Sequence, residues 1–248
     1  RLLAIAALLV CVAASDGMAS MRYALVIGAN RGNPDEVALA YAERDADRIA
    51  GILSRLGGVP PENLIVLRSP HADDLKRVTA DLGQRIASAR TRRPGDPALL
   101  FVYYSGHADA QALHLGGSIL SFDALKKQVR GAGAEVSVLV VDACRSGGLT
   151  RVKGAVRARP FQMKVDNRLE TSGVVMITSS ASGEEAQESE RLRGGIFTHH
   201  LINGLMGAAD TSGDARVTVS EAYRYAYVQT IRTTSRLEVV QHPTYSFR

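Results

Sequence analysis

Along this chain, short unbroken apolar runs alternate with longer segments in which apolar residues return every three or four positions. The runs 23–28, 63–67, 98–104, 136–141 and 173–178 are dominated by Val, Ile, Leu and aromatic residues. Continuous apolar stretches of this length predict strands covered on both faces, as in a parallel sheet. Between them, segments 37–56, 73–90 and 122–130 carry the helical repeat, and Ala42, Ala46, Ile49, Leu53 and Leu56 form one stripe along the first of these. Strands and helices alternating in this order predict a doubly wound α/β fold with a mostly parallel central sheet between helical layers.

Composition narrows this picture only a little. With 248 residues, 46% of them apolar, and no internal repeat or low-complexity tract, the chain supports one substantial core. The formal charge of +5 comes from Lys and Arg scattered along the sequence, aromatics make up only 5%, and no nucleic-acid motif is present. A solvated basic surface, not a nucleic-acid partner, is therefore expected. The first residues change the picture more. Arg1 precedes the apolar stretch 2–14, which exits through Gly17-Met18-Ala19, the pattern of a secretory signal over residues 1–19, too short to span a bilayer. The expected location is periplasmic or secreted, or cytoplasmic if translation starts at Met18 or Met21. No stable membrane span is expected once the signal is removed. A single domain then occupies residues 21–248.

Two apolar runs end at glycine beside a reactive side chain: Tyr103-Tyr104-Ser105-Gly106-His107 and Val140-Val141-Asp142-Ala143-Cys144-Arg145-Ser146-Gly147. His107 and Cys144 are thereby expected just past the carboxyl ends of two strands, the edge of an open α/β sheet where ligands bind. Their separation of 37 positions suffices for one crossover helix. A thiolate attacks a carbonyl carbon, and a neighbouring imidazole can take the thiol proton and return it to the leaving amine. Backbone N–H groups at Cys144 and Ala108 are candidates for holding the resulting oxyanion. Cysteine usage points the same way. Cys11 and Cys144 are the only two, and signal removal leaves Cys144 as a lone thiol.

These two blocks resemble the caspase and metacaspase superfamily, in particular the bacterial caspase-like cysteine peptidases. The likeness extends from Arg22 onward. Tyr23-Ala-Leu-Val-Ile-Gly-Ala-Asn-Arg31 is similar to the family's first strand, Glu43-Arg-Asp-Ala46 to its acidic helix start, and Gly195-Ile-Phe-Thr-His-His-Leu201 to the segment after its small-subunit strand. The resemblance implies a caspase-like three-layer α/β/α sandwich, His107 as general base and Cys144 as nucleophile. It also implies protein or peptide substrates and no cofactor for the chemistry itself. Where the family has Gly after the histidine, this chain has Ala108, so the turn there must accept a Cβ.

The densest basic stretch, 145–171, contains Arg151, Lys153, Arg157, Arg159 and Lys164 among Gly and Pro. It reads as an exposed loop, and in the family the chain is often cut in this region. Cleavage after Arg or Lys would make the loop its own substrate. Such a preference needs carboxylates in the pocket, because a buried guanidinium requires a paired anion. By the resemblance, Asp142 lines that pocket and Asp45 is a second acid. Ser105 is counted with them, and Glu184 or Glu185 falls near another family pocket acid. The competing role for Asp142 is to brace the nucleophile turn, and for the others to sit solvated on a helix or loop. Caspases that cut after Asp would need arginines instead, for which Arg31 and Arg145 are the available residues.

A separate signal is the segment 210–221, which fits a twelve-position calcium loop. Asp210, Ser212, Asp214, the Arg216 carbonyl, Thr218 and Glu221 occupy the ligand positions, so Ca2+ is the metal this sequence offers a loop for. Position six, normally Gly, is Ala215. Helical patterns at 197–206 and 219–231 flank it; the alternative is a polar turn before a helix capped by Ser220. His199 and His200 are adjacent on a helix and read as packing or surface residues. His71, His114 and His242 lack ligand spacing, and the glycines at 28–32 lack the third glycine of a dinucleotide loop.

The reading that joins these observations is a cysteine endopeptidase cutting after Arg or Lys, with self-processing in the basic loop. Two others compete: a catalytically weak, calcium-responsive interaction module of the same fold, and a thiol hydrolase acting on non-peptide esters or amides. Monomer and dimer are equally open.

Overall fold

The computed structural model describes residues 20–143 and 173–247. The expected signal segment 1–19, with Cys11, as well as Cys144 and the basic stretch 145–171 read as a loop, lie outside the described residues.

The five apolar runs form five parallel strands. β1 (Met21–Ala29), β2 (Leu64–Arg68), β3 (Ala98–Ala108), β6 (Val136–Asp142) and β7 (Gly173–Thr178) lie in the order 2-1-3-6-7. A further strand, β10 (Thr244–Phe247), joins β7 antiparallel and ends the sheet, while β4 (Ala112–Leu115) and β5 (Ser118–Ser121) fold back as a hairpin onto β3. A two-residue pair, β8 (Glu188–Ser189) with β9 (Gly194–Gly195), stands apart. These late and short strands carry too few residues for a period-2 pattern to register, and none is apparent in the sequence.

Each face of the sheet is covered. On one, Leu25, Ile27, Leu100, Val102, Leu139 and Met176 pack against Leu75, Leu82 and Ile86 of α2 (Ala72–Arg92) and Leu125 and Val129 of α3 (Phe122–Gly131). On the other, Ala24, Val26, Tyr103, Val138, Val140 and Ile177 meet α1 (Ala42–Arg55), α4 (Ile196–Asn203) and α5 (Val219–Ser235). Alternate residues of one strand therefore feed opposite cores, which is why these strands are apolar throughout. The result is the expected three-layer α/β/α sandwich.

The boundaries differ in instructive places. α1 begins at Ala42, not at residue 37: Leu39 donates its N–H to the Asn30 carbonyl, and the Asn30 side chain accepts from Glu43 N–H at the helix start. The segment between β1 and α1 is thus a loop tied across the carboxyl end of β1. After α4 the chain makes a wider turn at Gly204–Ala208, where Gly207 has φ 113°, a conformation glycine adopts freely. No helix among the described residues is long and apolar enough to cross a membrane.

Candidate active site

β3 runs beyond its predicted end. Residue His107 was expected past the strand, yet β4 pairs with β3 through His107 opposite His114 and Ala108 opposite Leu113, so the imidazole is mounted on the strand itself. Tyr104 locks this hairpin. Its buried hydroxyl donates toward the carbonyls of His107 (2.7 Å) and His114 (3.1 Å). Burial, followed by the negative field of Glu36, pushes its ionisation well above the usual tyrosine range, so the donor proton stays in place. Gly106 makes this possible, because a Cβ there would overlap the Tyr104 ring and hydroxyl.

Ala108 fits without strain. It is absent from the left-handed residues and sits in ordinary strand backbone, so a Cβ is accepted where the family carries Gly. Asp109 N–H bonds the Ala112 carbonyl. Hydrogen-bonded and non-bonded pairs alternate in an antiparallel ladder, so the Ala108–Leu113 pair is of the non-bonded kind and the Ala108 N–H points away from β4.

The His107 side chain is 14% exposed, and its Nε2 is buried with no hydrogen-bond partner among the described residues. Nδ1 lies 3.9 Å from Glu36 Oε1, in the loop between β1 and α1. That carboxylate is held tightly elsewhere: Oε1 is 2.7 Å from His114 Nδ1 and Oε2 accepts the Asn33 N–H at 2.5 Å. Burial works against ionisation of Glu36, but the Asn33 N–H and the two imidazoles outweigh it and hold the carboxyl below its ordinary range. His114 in turn places Nε2 3.3 Å from Asp109 Oδ2. Gly32 closes the arrangement, since any Cβ there would meet the His107 ring and the Glu36 carboxylate.

A second group of acids lies one strand away. Asp142 ends β6, paired in register with Ser105 of β3, and both are buried. Thr198 of α4 donates to Asp142 Oδ2 at 2.6 Å, and Tyr103 lies 2.6 Å behind Thr198 in the same buried chain. Burial raises the Asp142 carboxyl, with Glu188 adding repulsion, and among the described residues no Lys, Arg or His pairs with it. Asp45, fully buried near the start of α1, accepts the Gly195 N–H at 2.6 Å and pairs with Arg48 at 3.1 Å. Its carboxyl is pushed up to about 7 by burial, with Asp142 adding to the shift against the Gly195 amide and Arg48. Gly195 stands between the two acids: a Cβ there would lie 2.6 Å from Asp142 Oδ2 and 3.2 Å from Asp45 Oδ2.

The structure distributes the predicted glutamates differently. Glu184 is committed to His242, whose N–H and Nδ1 it meets at 2.6 and 2.8 Å, and Glu185 is exposed on the same loop. Glu188 is the glutamate that acts on Asp142, and its carboxylate accepts the N–H groups of Ala40 and Tyr41 at 3.1 Å each, ahead of α1. It was invisible in the sequence because it sits 148 residues from Ala40 in a two-residue strand. Immediately before Cys144, Ala143 is gripped from both sides. Its N–H donates to Ser179 Oγ and its carbonyl accepts from Ser180, each at 3.1 Å.

In the 210–221 loop, Asp210 accepts the N–H groups of Gly213 and Ala215 at 2.7 and 3.0 Å, and Ala215 takes φ 61°. Glu221 forms a capping box with Thr218, which, not Ser220, caps α5. Hydrogen bonds from Thr218 and Thr211 lower the Glu221 carboxyl to about 2. Among the described residues no three His, Cys, Asp or Glu side chains converge as metal ligands. His199 contacts Arg48 and Asn203, and His200 bonds Thr233, so both are packing residues as expected.

A family model described as a caspase domain matches residues 21–246. The crystal structure of caspase-1 from Spodoptera frugiperda is similar with a TM-score of 0.60 at 14% identity, covering 92% of this chain and 86% of that one. At that identity the likeness is one of fold. No curated protein sequence gives a match.

Proposed function

The chain belongs to the caspase domain family, and on that premise we propose that it is a cysteine endopeptidase that cuts after Arg or Lys, with His107 as general base and Cys144 as nucleophile. In this reading the Cys144 thiolate attacks the scissile carbonyl carbon, His107 passes the thiol proton to the departing amine, and water then hydrolyses the thioester. The N–H groups of Ala108 and Cys144 receive the oxyanion. Ala108 suits this role because its N–H is not spent on β4.

The observation that carries the specificity is the charge on the pocket side. Asp142 is a buried carboxylate with no cation among the described residues, and side-chain-free Gly195 lies directly beside it. Burying an unpaired carboxylate is costly, and a guanidinium or ammonium from substrate would relieve that cost. Asp45 contributes less because Arg48 already neutralises it in part. Hydrolysis of Arg, Lys and Asp fluorogenic peptides by wild type and Cys144→Ala is the test. Cleavage after Arg or Lys that disappears in the variant supports the proposal, cleavage after Asp removes the pocket assignment, and silence on peptides with turnover of thiol-labile esters favours the non-peptide hydrolase. Intact mass of the same samples reads self-processing within 145–171.

Calcium enters as a separable part of the proposal on one observation: Ala215 adopts the left-handed conformation that glycine supplies at position six of a calcium loop. Binding there requires Glu221 to release Thr218 and Thr211. Calcium titration of wild type and Asp210→Asn by calorimetry decides it: heat lost in the variant supports the site, and no heat in either discards it.

A further inference from the structure

Around His107, acids and imidazoles alternate in an unbroken chain: Asp109, His114, Glu36, His107. Each link comes from a different part of the fold. His107 and His114 are opposite residues of the β3–β4 ladder, so their side chains emerge on one face. Asp109 opens the turn of that hairpin and accepts the N–H groups of Gln111 and Ala112 at 2.7 and 2.8 Å. Glu36 reaches over from the loop after β1. That loop is stitched to the β4–β5 turn, where Gly116 and Gly117 donate to the carbonyls of Arg31 and Gly32 at 3.0 and 2.9 Å.

We propose that Glu36 is a positioning residue for the general base: it faces Nδ1 of His107, holds the ring, and stabilises the imidazolium that forms when the Cys144 thiol is ionised. The inference rests on His107 and Cys144 acting as the dyad. Its physical content is preorganisation. A carboxylate fixed by His114 and the Asn33 amide has paid its ordering cost before the charge on His107 appears, and it sits in a partly buried site where water screens it weakly. A carboxylate behind the imidazole fixes tautomer and orientation, leaving the opposite nitrogen as the base. Here that opposite nitrogen is Nε2, the buried atom without a partner among the described residues. The 3.9 Å separation is an ion-pair distance that closes to a hydrogen bond as His107 takes up its proton. His114 and Asp109 act one step further back, keeping Glu36 from swinging into solvent.

The residue was not legible as part of the site, since Glu36 lies in a polar segment, Asn33-Pro34-Asp35-Glu36, that reads as a turn. Its partner His114 carries no ligand spacing. Register alone brings the two imidazoles side by side, and loop closure brings the acid to both.

The test reads the thiol directly and so does not depend on a peptide being cut. The rate of Cys144 alkylation by iodoacetamide is measured from pH 5.5 to 9.5 in wild type, Glu36→Gln and Glu36→Asp, in the full chain with folding checked by circular dichroism. The titratable groups nearest His107 are Glu36 from the loop and His114 from β4, with Asp109 of the turn behind His114. Loss of the carboxylate removes thiolate where it depends on the imidazolium, so Glu36→Gln is expected to react about five- to tenfold more slowly near pH 6.5 and as fast as wild type at pH 9.5, with Glu36→Asp restoring part of the loss. A purely structural role would lower the rate at every pH or unfold the variant. Superimposable profiles of wild type and Glu36→Gln, or equal loss across the range, overturn the inference. With a cleaved peptide in hand, kcat falls by a similar factor in Glu36→Gln and KM stays within twofold. Absence of peptide cleavage in wild type would count against the peptidase reading, while the alkylation profile would still judge Glu36.

Discussion

Two groups of carboxylates flank the carboxyl end of β3, and they are built on opposite principles. On the His107 side, Glu36 and Asp109 are each matched by an imidazole, and both carboxyls are held below their ordinary range even though burial works against it. On the Asp142 side, burial dominates and the carboxyls of Asp45 and Asp142 are raised, with Arg48 as the one cation among the described residues. On the first side each acid has an imidazole within ion-pair distance; on the second, two buried acids share one arginine among the described residues. On the proposed function, the first arrangement holds the imidazole steady and the second draws a cationic side chain.

The largest effect expected from separating the two regions is total loss at the first. Cys144→Ala and His107→Ala should each lower kcat on every substrate by a factor on the order of 10^4, since members of a catalytic unit fail together. Next comes a selective loss at the second. Asp142→Asn should cost about 3 kcal/mol, roughly a hundredfold in kcat/KM, on Arg and Lys peptides, with iodoacetamide reactivity of Cys144 unchanged. Loss of that reactivity as well would mean that Asp142 braces the nucleophile turn and that the two regions are one. Gly106→Ala sharpens the comparison from the other direction. The added Cβ evicts Tyr104 from the His107 carbonyl, lowering stability by about 1–3 kcal/mol in chemical denaturation and disturbing the imidazole, while leaving the preference for basic residues intact.

The smallest effect is a pH dependence. Asp45 gains its charge as pH rises through about 7, so the field drawing a cationic side chain strengthens between pH 6 and pH 8. KM for an Arg peptide is expected to fall roughly threefold over that interval, a neutral peptide should show no such fall, and Asp45→Asn should flatten the difference. An Arg-peptide KM that is level across the interval would place Asp45 outside the pocket's influence.

Much of the frame was legible because it is local. The five parallel strands are continuous apolar runs, and their ends fell within a few residues of the structure; only β3 runs four residues longer, since it is extended by a partner that sequence pattern does not announce. His107 stood out as a reactive side chain beside a strand end, while Asp142 and Asp45 were marked by the family resemblance, with Ser105 counted among them. Glu188 and Glu36 did not. Both sit in short or irregular segments, where an acid is as common as any polar residue, and each acquires meaning only through a contact across many intervening residues. The 210–221 loop shows the converse: a good positional match whose Glu221 spends its carboxylate on capping α5.

By itself the sequence determined the alternation of strands and helices, the buried character of both sheet faces, and which residues carry reactive groups, because hydrophobic period and strand ends are properties of neighbours along the chain. The tertiary structure alone decided which acids stand beside His107 and which beside Asp142, and so which charges are balanced. Electrostatic balance depends on distances through space and on exclusion of water, and neither is written in the order of residues.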